Sequence, residues 1–381
     1  MKIFIIAGES SGDLLGAKLV KELNKRFKSL KITGVGGEQL INAGLEPIFN
    51  LKDISVNGLI EVIPHIPRLL SRINASVDAI INFQPDLIIT IDAPDFNFRV
   101  IKKLKQRAPN LNSKIVHYVA PTVWAYRKKR AKKIAQLYDL LLVILPFEPP
   151  YFEDHGLKTN FIGHPIFSDF QPKEVTRKSN NVIITPGSRR SEILRFKSML
   201  KELIYLIKSN FGTKFNLHLF VTQETKDLIY SIYEQEIKKS EVNIVIKNTK
   251  KAEILDDCYL AILKSGTNTM ELANESIAMI IFYRFSTLTY FIATKILRVK
   301  SRYANLLNYQ ANHAIIPEYL HARCKADLIY QEFRNYYYHK EKRYDQIAAY
   351  SKIISKFKNP DQISPETKAV NAIEELFNKK V

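Results

Sequence analysis

Residues 87–97 read LIITIDAPDFN, an apolar run that ends in two carboxylates. The run Leu87–Ile91 is typical of a strand buried on both faces of a parallel sheet. Pro94 cannot continue a central strand, so the strand must end near Asp92. Ligands of open α/β sheets lie beyond the carboxyl ends of strands, which makes Asp92 a candidate catalytic base. A helix cap is an equally good interpretation of Asp92 and the better one for Asp95.

Strand-like runs alternate with helix-like runs along most of the chain, which predicts βα units and parallel sheets. The predicted strands are Ile3–Ala7, Ile32–Val35, Leu87–Ile91, Ile115–Val119, Leu140–Ile144, Val182–Thr185, Leu217–Val221, Val242–Ile246, Leu260–Leu263 and Met279–Tyr283. The apolar residues Leu15, Leu19, Leu23 and Phe27 recur every fourth position and predict a helix after the first strand. Residues 171–181 are typical of a linker, and the pattern is helical from about Cys324 onward.

The composition limits the class of protein. The chain has 381 residues, of which 46% are hydrophobic, and this length suggests two domains. Lys and Arg exceed Asp and Glu by 19, which indicates an anionic partner: nucleic acid, lipid headgroups or a phosphorylated substrate. Cys258 and Cys324 lie near no metal-ligand pattern, so neither a disulfide framework nor a zinc site is expected. The apolar start is too short for a signal peptide, and no apolar run reaches the ~20 residues of a membrane span.

Small residues follow the first strand of each half. Residues 8–13 read GESSGD and residues 185–192 read TPGSRRSE. Such turns let a ligand approach the main chain at a helix N-terminus, where anions are favoured. For the first turn, a tight turn with a Ser cap is the slightly better interpretation, and without G-x-G-x-x-G a dinucleotide site is poorly supported. For the second, the adjacent Arg189 and Arg190 favour an anion site over a helix capped by Ser188 or Ser191.

Four further features are candidates for binding. Residues 263–271 read LKSGTNTME, another strand and small turn, with Glu271 either binding ribose hydroxyls or simply solvated. Residues 127–133 read RKKRAKK, which favours binding to anions, either nucleic acid or lipid headgroups, over a solvated helix face. Ile66, Leu69, Leu70 and Ile73 share one helical face, which fits a core helix about twice as well as a membrane surface. His164, beside Pro165, is more typical of a turn than of a substrate contact.

Taken in order, these motifs resemble the lipid-A-disaccharide synthase family. The segments that carry the resemblance are GESSGD at 8–13, IDAPDFN at 91–97, HYVAPTVWA at 117–125, LPFE at 145–148, FIGHP at 161–165, PGSR at 186–189 and SGT at 265–267. They extend from residue 1 to about residue 320. Departures from the family's pattern are Arg190-Ser191, Ala304 where Pro is common, and a Tyr-rich segment at 336–338.

The resemblance implies an α/β fold of the GT-B type, in which two Rossmann-like domains face each other across a cleft. We then expect an acceptor-binding domain at 1–168 and a UDP-sugar-binding domain at 169–335. A helical segment at 336–381 would pack back on the N-terminal domain. The implied reaction condenses UDP-2,3-diacylglucosamine with 2,3-diacylglucosamine 1-phosphate, with inversion, and gives a β-1,6 disaccharide and UDP. No cofactor and no metal are expected, since GT-B enzymes usually stabilise the leaving diphosphate with helix N-termini and cations.

The resemblance also assigns roles to single residues. Asp92 would be the general base. The UDP side would comprise Gly187, Ser188, Arg189, Ser265, Gly266, Thr267, Glu271 and Asn305. The acceptor side would comprise Ser10, Ser11, Gly12 and His164. With the family in view, acyl or membrane contact becomes the favoured role of Leu59, Ile63, Ile66, Leu69, Leu70 and Ile73.

The implied partners are the two lipid-linked sugars and an anionic membrane surface, and the family's dimers make a homodimer an open alternative. The protein would be cytoplasmic and peripheral on the inner face of the inner membrane of a Gram-negative-type bacterium. The rival hypothesis is a GT-B relative with a soluble UDP-N-acetylglucosamine-type substrate, either an epimerase or another glycosyltransferase. A nucleic-acid partner is disfavoured, because no segment resembles a nucleic-acid-binding module.

Overall fold

The computed structural model describes residues 1–55, 62–124, 129–173, 179–239, 241–246, 251–286, 302–359, 361 and 363–378. These residues fall into two compact units. The first holds the described residues of 1–168 and 357–378, and the second holds those of 169–286 and 302–356. Within the described ranges, no helix has both the length and the apolar character needed to span a bilayer.

Each unit contains one parallel sheet. The strands are β1 (Lys2–Ala7), β2 (Lys31–Val35), β3 (Glu46–Pro47), β4 (Leu87–Ile91), β5 (Lys114–Tyr118), β6 (Leu140–Val143), β7 (Thr159–Phe161), β8 (Asn181–Thr185), β9 (Asn216–Val221), β10 (Asn243–Ile246), β11 (Cys258–Lys264), β12 (Met279–Tyr283) and β13 (Glu318–Leu320). The first sheet has the order β3-β2-β1-β4-β5-β6-β7, and the second has the order β10-β9-β8-β11-β12-β13. The strand order therefore reverses between β1 and β4 and again between β8 and β11. Such switch points are where open α/β sheets bind ligands.

Helices connect and cover the strands. Among the described residues they are α1 (Ser10–Arg26), α2 (Glu38–Asn42), α3 (Ile66–Phe83), α4 (Pro94–Arg107), α5 (Arg130–Ala135), α6 (Pro150–Glu153), α7 (Arg190–Phe211), α8 (Lys226–Lys238), α9 (Lys251–Asp256), α10 (Asn268–Asn274), α11 (Leu306–Ala311), α12 (Ala326–Tyr338), α13 (Glu341–Phe357) and α14 (Pro365–Asn378). The first sheet is buried on both faces, between one apolar cluster that includes α3 and α4 and another that includes α1 and α14. This double burial explains why its central strands are almost wholly apolar.

The C-terminal helix α14 packs on α1 and β6 of the first unit. Its Ala369, Val370 and Ile373 are fully buried beside α1 and the sheet. At the edge of this contact, Arg26 of α1 is ion-paired with Glu374 of α14. The helix α14 therefore belongs to the core of the first unit.

All ten predicted strands are present. The largest shift is at β11, which begins at Cys258 where Leu260 was predicted. Three strands, β3, β7 and β13, were not predicted; they are edge strands of two or three residues. Strands this short carry too little apolar alternation to be recognised, because only their neighbour in the sheet defines them.

Candidate active site

The first candidate site lies at the turn after β4, where the main chain of Asp92 is anchored. Its N–H donates to the carbonyl oxygen of Tyr118 at the end of β5, at 2.9 Å. Asp92 and Ala93 both have left-handed backbone angles, with φ of 51° and 41°. Successive non-glycine residues in this region are unfavourable and persist only where the surrounding structure holds them, as is common at functional sites.

Asn97, on the first turns of α4, holds the same turn from the other side. Its side chain is fully buried, and its Nδ2 donates to the carbonyl oxygen of Asp92 at 2.7 Å. Asn97 was not among the predicted site residues; the signal in the sequence was a polar residue on a helix face that must be buried. The predicted cap by Asp95 is wrong, since Ala93 is the N-cap without a side-chain hydrogen bond and Asp95 is ion-paired with Arg130 at 2.6 Å.

The environment of the Asp92 carboxyl alters its acidity. Burial raises the pKa of Asp92, and the N–H of Ala93 offsets part of this rise by donating to the carboxylate. A carboxylate with a raised pKa binds a proton more strongly than a solvated aspartate does. This suits a general base, whose ideal pKa lies near the working pH.

Glycines bring the turn after β1 against the turn after β4. A Cβ added at Gly8 would lie 2.0 Å from the Cβ of Ala93, so no larger residue fits there without displacing the Asp92 turn. A Cβ at Gly12 would lie 3.4 Å from the Ile91 carbonyl oxygen. The structure therefore places the Gly8–Gly12 turn directly beside Asp92 at the first switch point.

The remaining residues of that motif have separate roles. Ser10 and Ser11 are exposed first residues of α1, and the predicted Ser cap is wrong because Glu9 is the N-cap and makes no side-chain capping bond. The buried carboxylate of Asp13 accepts main-chain N–H groups of α2 and the turn before it. The donors are Gly37, Gln39 and Leu40, at 2.7 to 3.1 Å. Asp13 is thus a structural residue that fixes the β2–α2 turn.

His164 lies apart from Asp92. It follows β7, which is three strands from β4, or roughly 14 Å at the usual spacing of neighbouring strands. The imidazole Nδ1 accepts the main-chain N–H of Ile166, and the main-chain N–H of His164 donates to the carbonyl oxygen of Phe357. Burial lowers the pKa of the imidazole to about 4. A neutral imidazole that caps the following turn supports the interpretation of His164 as a turn element.

Glu148 joins two of the family-like segments. It is 2% exposed, and its carboxyl group accepts N–H groups from Trp124 at 3.3 Å and from Leu145 at 3.2 Å. Burial raises the pKa of Glu148 to about 8. The side chain therefore fixes residues 145–148 against Trp124, which explains an acidic residue inside an otherwise apolar motif.

The second candidate site lies at the switch point of the second sheet. Gly187 follows β8 with φ of 120°, and Arg189 is the extended N-cap residue of α7. Ser188 and Arg189 are exposed to solvent at this helix start. Capping by Ser188 or Ser191 was wrong, since Arg189 holds the N-cap position. The exposed hydroxyl, guanidinium and helix N-terminus form a surface suited to an anion.

The turn after β11 is adjacent, because β8 and β11 are paired strands. Ser265 donates from Oγ to the carbonyl oxygen of Ala304 at 2.9 Å, which brings the residues before α11 to this turn. Thr267 is the N-cap residue of α10, and the half-buried Glu271 lies in its first turns with its N–H bonded to the Thr267 carbonyl. The structure thus groups Gly187–Arg189 with Ser265–Thr267 and the segment of Asn305.

Asn305 itself is the N-cap of α11. Its Oδ1 accepts the N–H groups of Leu307 and Asn308, at 2.6 and 3.4 Å, and the side chain is almost fully buried. The carboxylate of Glu318 on β13 accepts the main-chain N–H groups of Ala304 and Asn305. The side-chain oxygen of Asn305 therefore caps the N-terminus of α11.

The apolar stretch predicted to meet a membrane divides in the structure. Leu59 and the side chain of Ile63 lie outside the described residues. Ile66 and Leu70, at the start of α3, are 43% and 48% exposed, whereas Leu69 packs partly against the core. Ile73 is 5% exposed inside the core, so membrane contact by Ile73 was wrong.

The basic segment is described from Lys129 onward; Arg127 and Lys128 lie outside the described residues. Arg130 is committed to the ion pair with Asp95 and lies over the ring of Phe98. Lys129, Lys132 and Lys133 are exposed. This part of the surface therefore presents three lysines to solvent.

The chain is similar in sequence to a known protein family over almost its whole length. The family model described as lipid-A-disaccharide synthetase matches residues 3–373. The lipid-A-disaccharide synthase of Rickettsia felis is 35% identical over 391 residues, covering 99% of this chain and 97% of the relative. That of Rickettsia typhi is 34% identical over 386 residues, covering 99% of each.

Solved structures resemble the chain in fold. A co-structure of S. aureus MnaA with UDP has a TM-score of 0.64 at 14% identity, covering 99% of this chain and 97% of that one. Acinetobacter baumannii MurG has a TM-score of 0.54 at 12% identity, with coverage of 93% and 98%. Together with the two parallel sheets, these likenesses show a two-domain α/β fold of the GT-B type.

Proposed function

Since the chain belongs to the lipid-A-disaccharide synthase family, and so is a glycosyltransferase of lipid A biosynthesis, we propose that it carries out the family's disaccharide-forming reaction. Its donor is UDP-2,3-diacylglucosamine and its acceptor is 2,3-diacylglucosamine 1-phosphate. The products are a β-1,6 disaccharide 1-phosphate and UDP. A soluble UDP-N-acetylglucosamine-type substrate is not favoured, because the family match extends over residues 3–373.

The observation that carries the proposal is the half-buried carboxylate of Asp92, whose main chain is anchored at a switch point. In the proposed reaction, Asp92 removes the proton of the acceptor 6-hydroxyl. The 6-oxygen forms a bond to the anomeric carbon of the donor as the bond from that carbon to the diphosphate breaks, which inverts the carbon. The anchored turn and the raised pKa of Asp92 both suit this role.

The second unit supplies the nucleotide site. Gly187, Ser188 and Arg189 meet the diphosphate together with Ser265, Gly266 and Thr267, and Glu271 binds the ribose. Positive charge and helix N-termini at this edge of the sheet stabilise the UDP that leaves. Asn305 contributes by shaping the segment that contacts Ser265, since its side-chain oxygen caps α11. The first unit, with Ser10, Ser11 and Gly12 beside Asp92, binds the acceptor.

Lipid-linked substrates require access to a membrane. The exposed Ile66 and Leu70 at the start of α3 provide apolar contact, and the exposed lysines of 129–133 favour anionic headgroups. We place the enzyme on the inner face of the inner membrane of a Gram-negative-type bacterium.

The test is a disaccharide-forming assay in detergent with both lipid substrates and EDTA. Formation of the disaccharide together with stoichiometric UDP supports the proposal and shows that no added metal is needed. Folded protein that binds UDP but forms no disaccharide contradicts it. In that case, turnover of UDP-N-acetylglucosamine identifies the soluble-substrate reaction instead.

A further inference from the structure

Lys264 is a partly buried cation at the second switch point, and the sequence patterns assigned no role to it. It is the last residue of β11, directly before the Ser265–Thr267 turn. Its Nζ lies 2.9 Å from Oε1 of Glu192, and the two side chains are 17% and 7% exposed. Removing charges from water is costly unless they are paired, so each group depends on the other.

Glu192 connects this ion pair to the turn after β8. A Cβ added at Gly187 would lie 3.0 Å from Oε2 of Glu192, so the carboxylate lies against the glycine of the turn. The main-chain N–H of Glu192 donates to the Arg189 carbonyl at 3.0 Å. The carboxylate that holds Lys264 is therefore packed beneath the turn that carries Ser188 and Arg189.

The other side of Lys264 faces the turn after β11. A Cβ added at Gly266 would lie 3.8 Å from Nζ of Lys264. The same Nζ lies 5.3 Å from the centre of the Tyr283 ring at the end of β12. The ammonium group is thus located between the two glycine turns, at the carboxyl ends of the strands.

We propose that Lys264 is a further diphosphate-binding residue and that Glu192 positions its ammonium group between the two turns. The inference rests on the proposed function, because it assumes that these turns bind the diphosphate of the donor. An ammonium group has three donors, and the carboxylate of Glu192 needs only one of them. The other two can be offered to phosphate oxygens as charge-assisted hydrogen bonds.

The competing interpretation is that Lys264 only neutralises Glu192. A second Lys–Glu ion pair, remote from the two turns, provides a control for that interpretation. Lys201 and Glu236 are also ion-paired in the second unit, at 3.1 Å, with Lys201 over the ring of Tyr233. Lys201 lies eleven residues after Arg190 on α7, about 16 Å along the helix, so it is remote from both turns.

The experiment compares the binding of UDP, UMP and uridine to the wild type, Lys264→Met and Lys201→Met by calorimetry. For Lys264→Met we expect UDP affinity to fall about tenfold or more, with uridine affinity unchanged. Lys201→Met should bind all three ligands like the wild type. Equal UDP affinity in the two variants would overturn the inference, as would a loss for uridine as large as that for UDP.

Further variants separate binding from folding. Glu192→Gln keeps the side-chain volume but releases Lys264, and it should weaken UDP while sparing uridine, which a purely structural role would not do. If Lys264→Met alone does not fold, the double variant Lys264→Met with Glu192→Gln removes both charges together and should show the same loss for UDP only. Failure of the wild type to bind UDP overturns the proposed function together with this inference. Normal wild-type binding with an unaffected Lys264→Met overturns the inference alone.

Discussion

The side-chain amide of Asn97 donates to the main-chain carbonyl oxygen of Asp92 at 2.7 Å. The two residues are linked across the start of α4, and the amide is fully buried. The bond acts on the main chain and leaves the Asp92 carboxyl group available. Asn97 is therefore a positioning residue for the proposed base.

Asn97→Ala should lower kcat by about 10- to 100-fold while leaving UDP affinity unchanged. The reason is that a base displaced by a fraction of an ångström to an ångström loses its alignment with the acceptor hydroxyl. Steady-state kinetics and UDP titration measure the two effects separately. Ser76→Ala is the control, because Ser76 is equally buried and donates to the Arg72 carbonyl away from the site. An Asn97→Ala enzyme with the kcat of the control would contradict the positioning role.

Asp92→Asn should abolish turnover and leave UDP binding nearly intact, since it removes the base and keeps the shape. Burial raises the pKa of Asp92, and the base acts in its ionised form. The kcat/KM of the wild type should therefore fall as the pH decreases through this raised pKa, at a higher pH than for a solvated aspartate. Asp95→Asn, on the same turn but exposed, should keep both the activity and the pH profile. Full activity of Asp92→Asn would remove Asp92 from the mechanism.

Gly8→Ala should inactivate the enzyme, because the new methyl group would meet the Ala93 Cβ at 2.0 Å and displace the Asp92 turn. The double variant Gly8→Ala with Ala93→Gly removes the opposing methyl group, and the φ of 41° at Ala93 is readily adopted by glycine. We expect this second change to restore a large part of the activity, measured in the same disaccharide assay. Equal inactivity of the single and double variants would show that Gly8 is needed for another reason.

Arg189→Ala should weaken UDP binding by at least ~1.5 kcal/mol, as expected for the loss of a charge-assisted contact. Calorimetric titration with UDP measures this directly. Lys197→Ala is the matched control, since Lys197 is an exposed cation further along α7. UDP affinities that agree between the two variants would exclude Arg189 from the diphosphate site.

Replacing Ile66 and Leu70 together by Asp should reduce binding to anionic phospholipid vesicles, measured by co-sedimentation. The change removes exposed apolar surface and adds charge of the same sign as the headgroups. Ile41→Asp is the control, because Ile41 is 44% exposed in the same unit but lies on α2. If the control loses as much vesicle binding as the double variant, this part of α3 is not the membrane contact.

The strands and the order of the glycine turns could be recognised from the sequence, because strands buried on both faces of a parallel sheet consist of continuous apolar residues. Leu87–Ile91 and Met279–Tyr283 are strands with the predicted bounds. The edge strands β3, β7 and β13 were missed, since each exists only through its pairing with a neighbour. The same limit applies to capping, because Asp95 and a serine of the 8–13 turn were the favoured caps and neither holds the N-cap position.

The family-like order of motifs and the residue types at the ends of the strands can be recognised from the amino-acid order alone. Those features are local, so they can be predicted without knowing which residues pack against them. Three features become visible only in three dimensions. Asn97 holds the main chain of Asp92, and Glu192 holds Lys264. Ile73 lies in the core, while Ile66 and Leu70 are exposed. Each depends on which surface of a helix or turn meets its neighbour, and that is fixed by packing between distant parts of the chain and not by spacing along it.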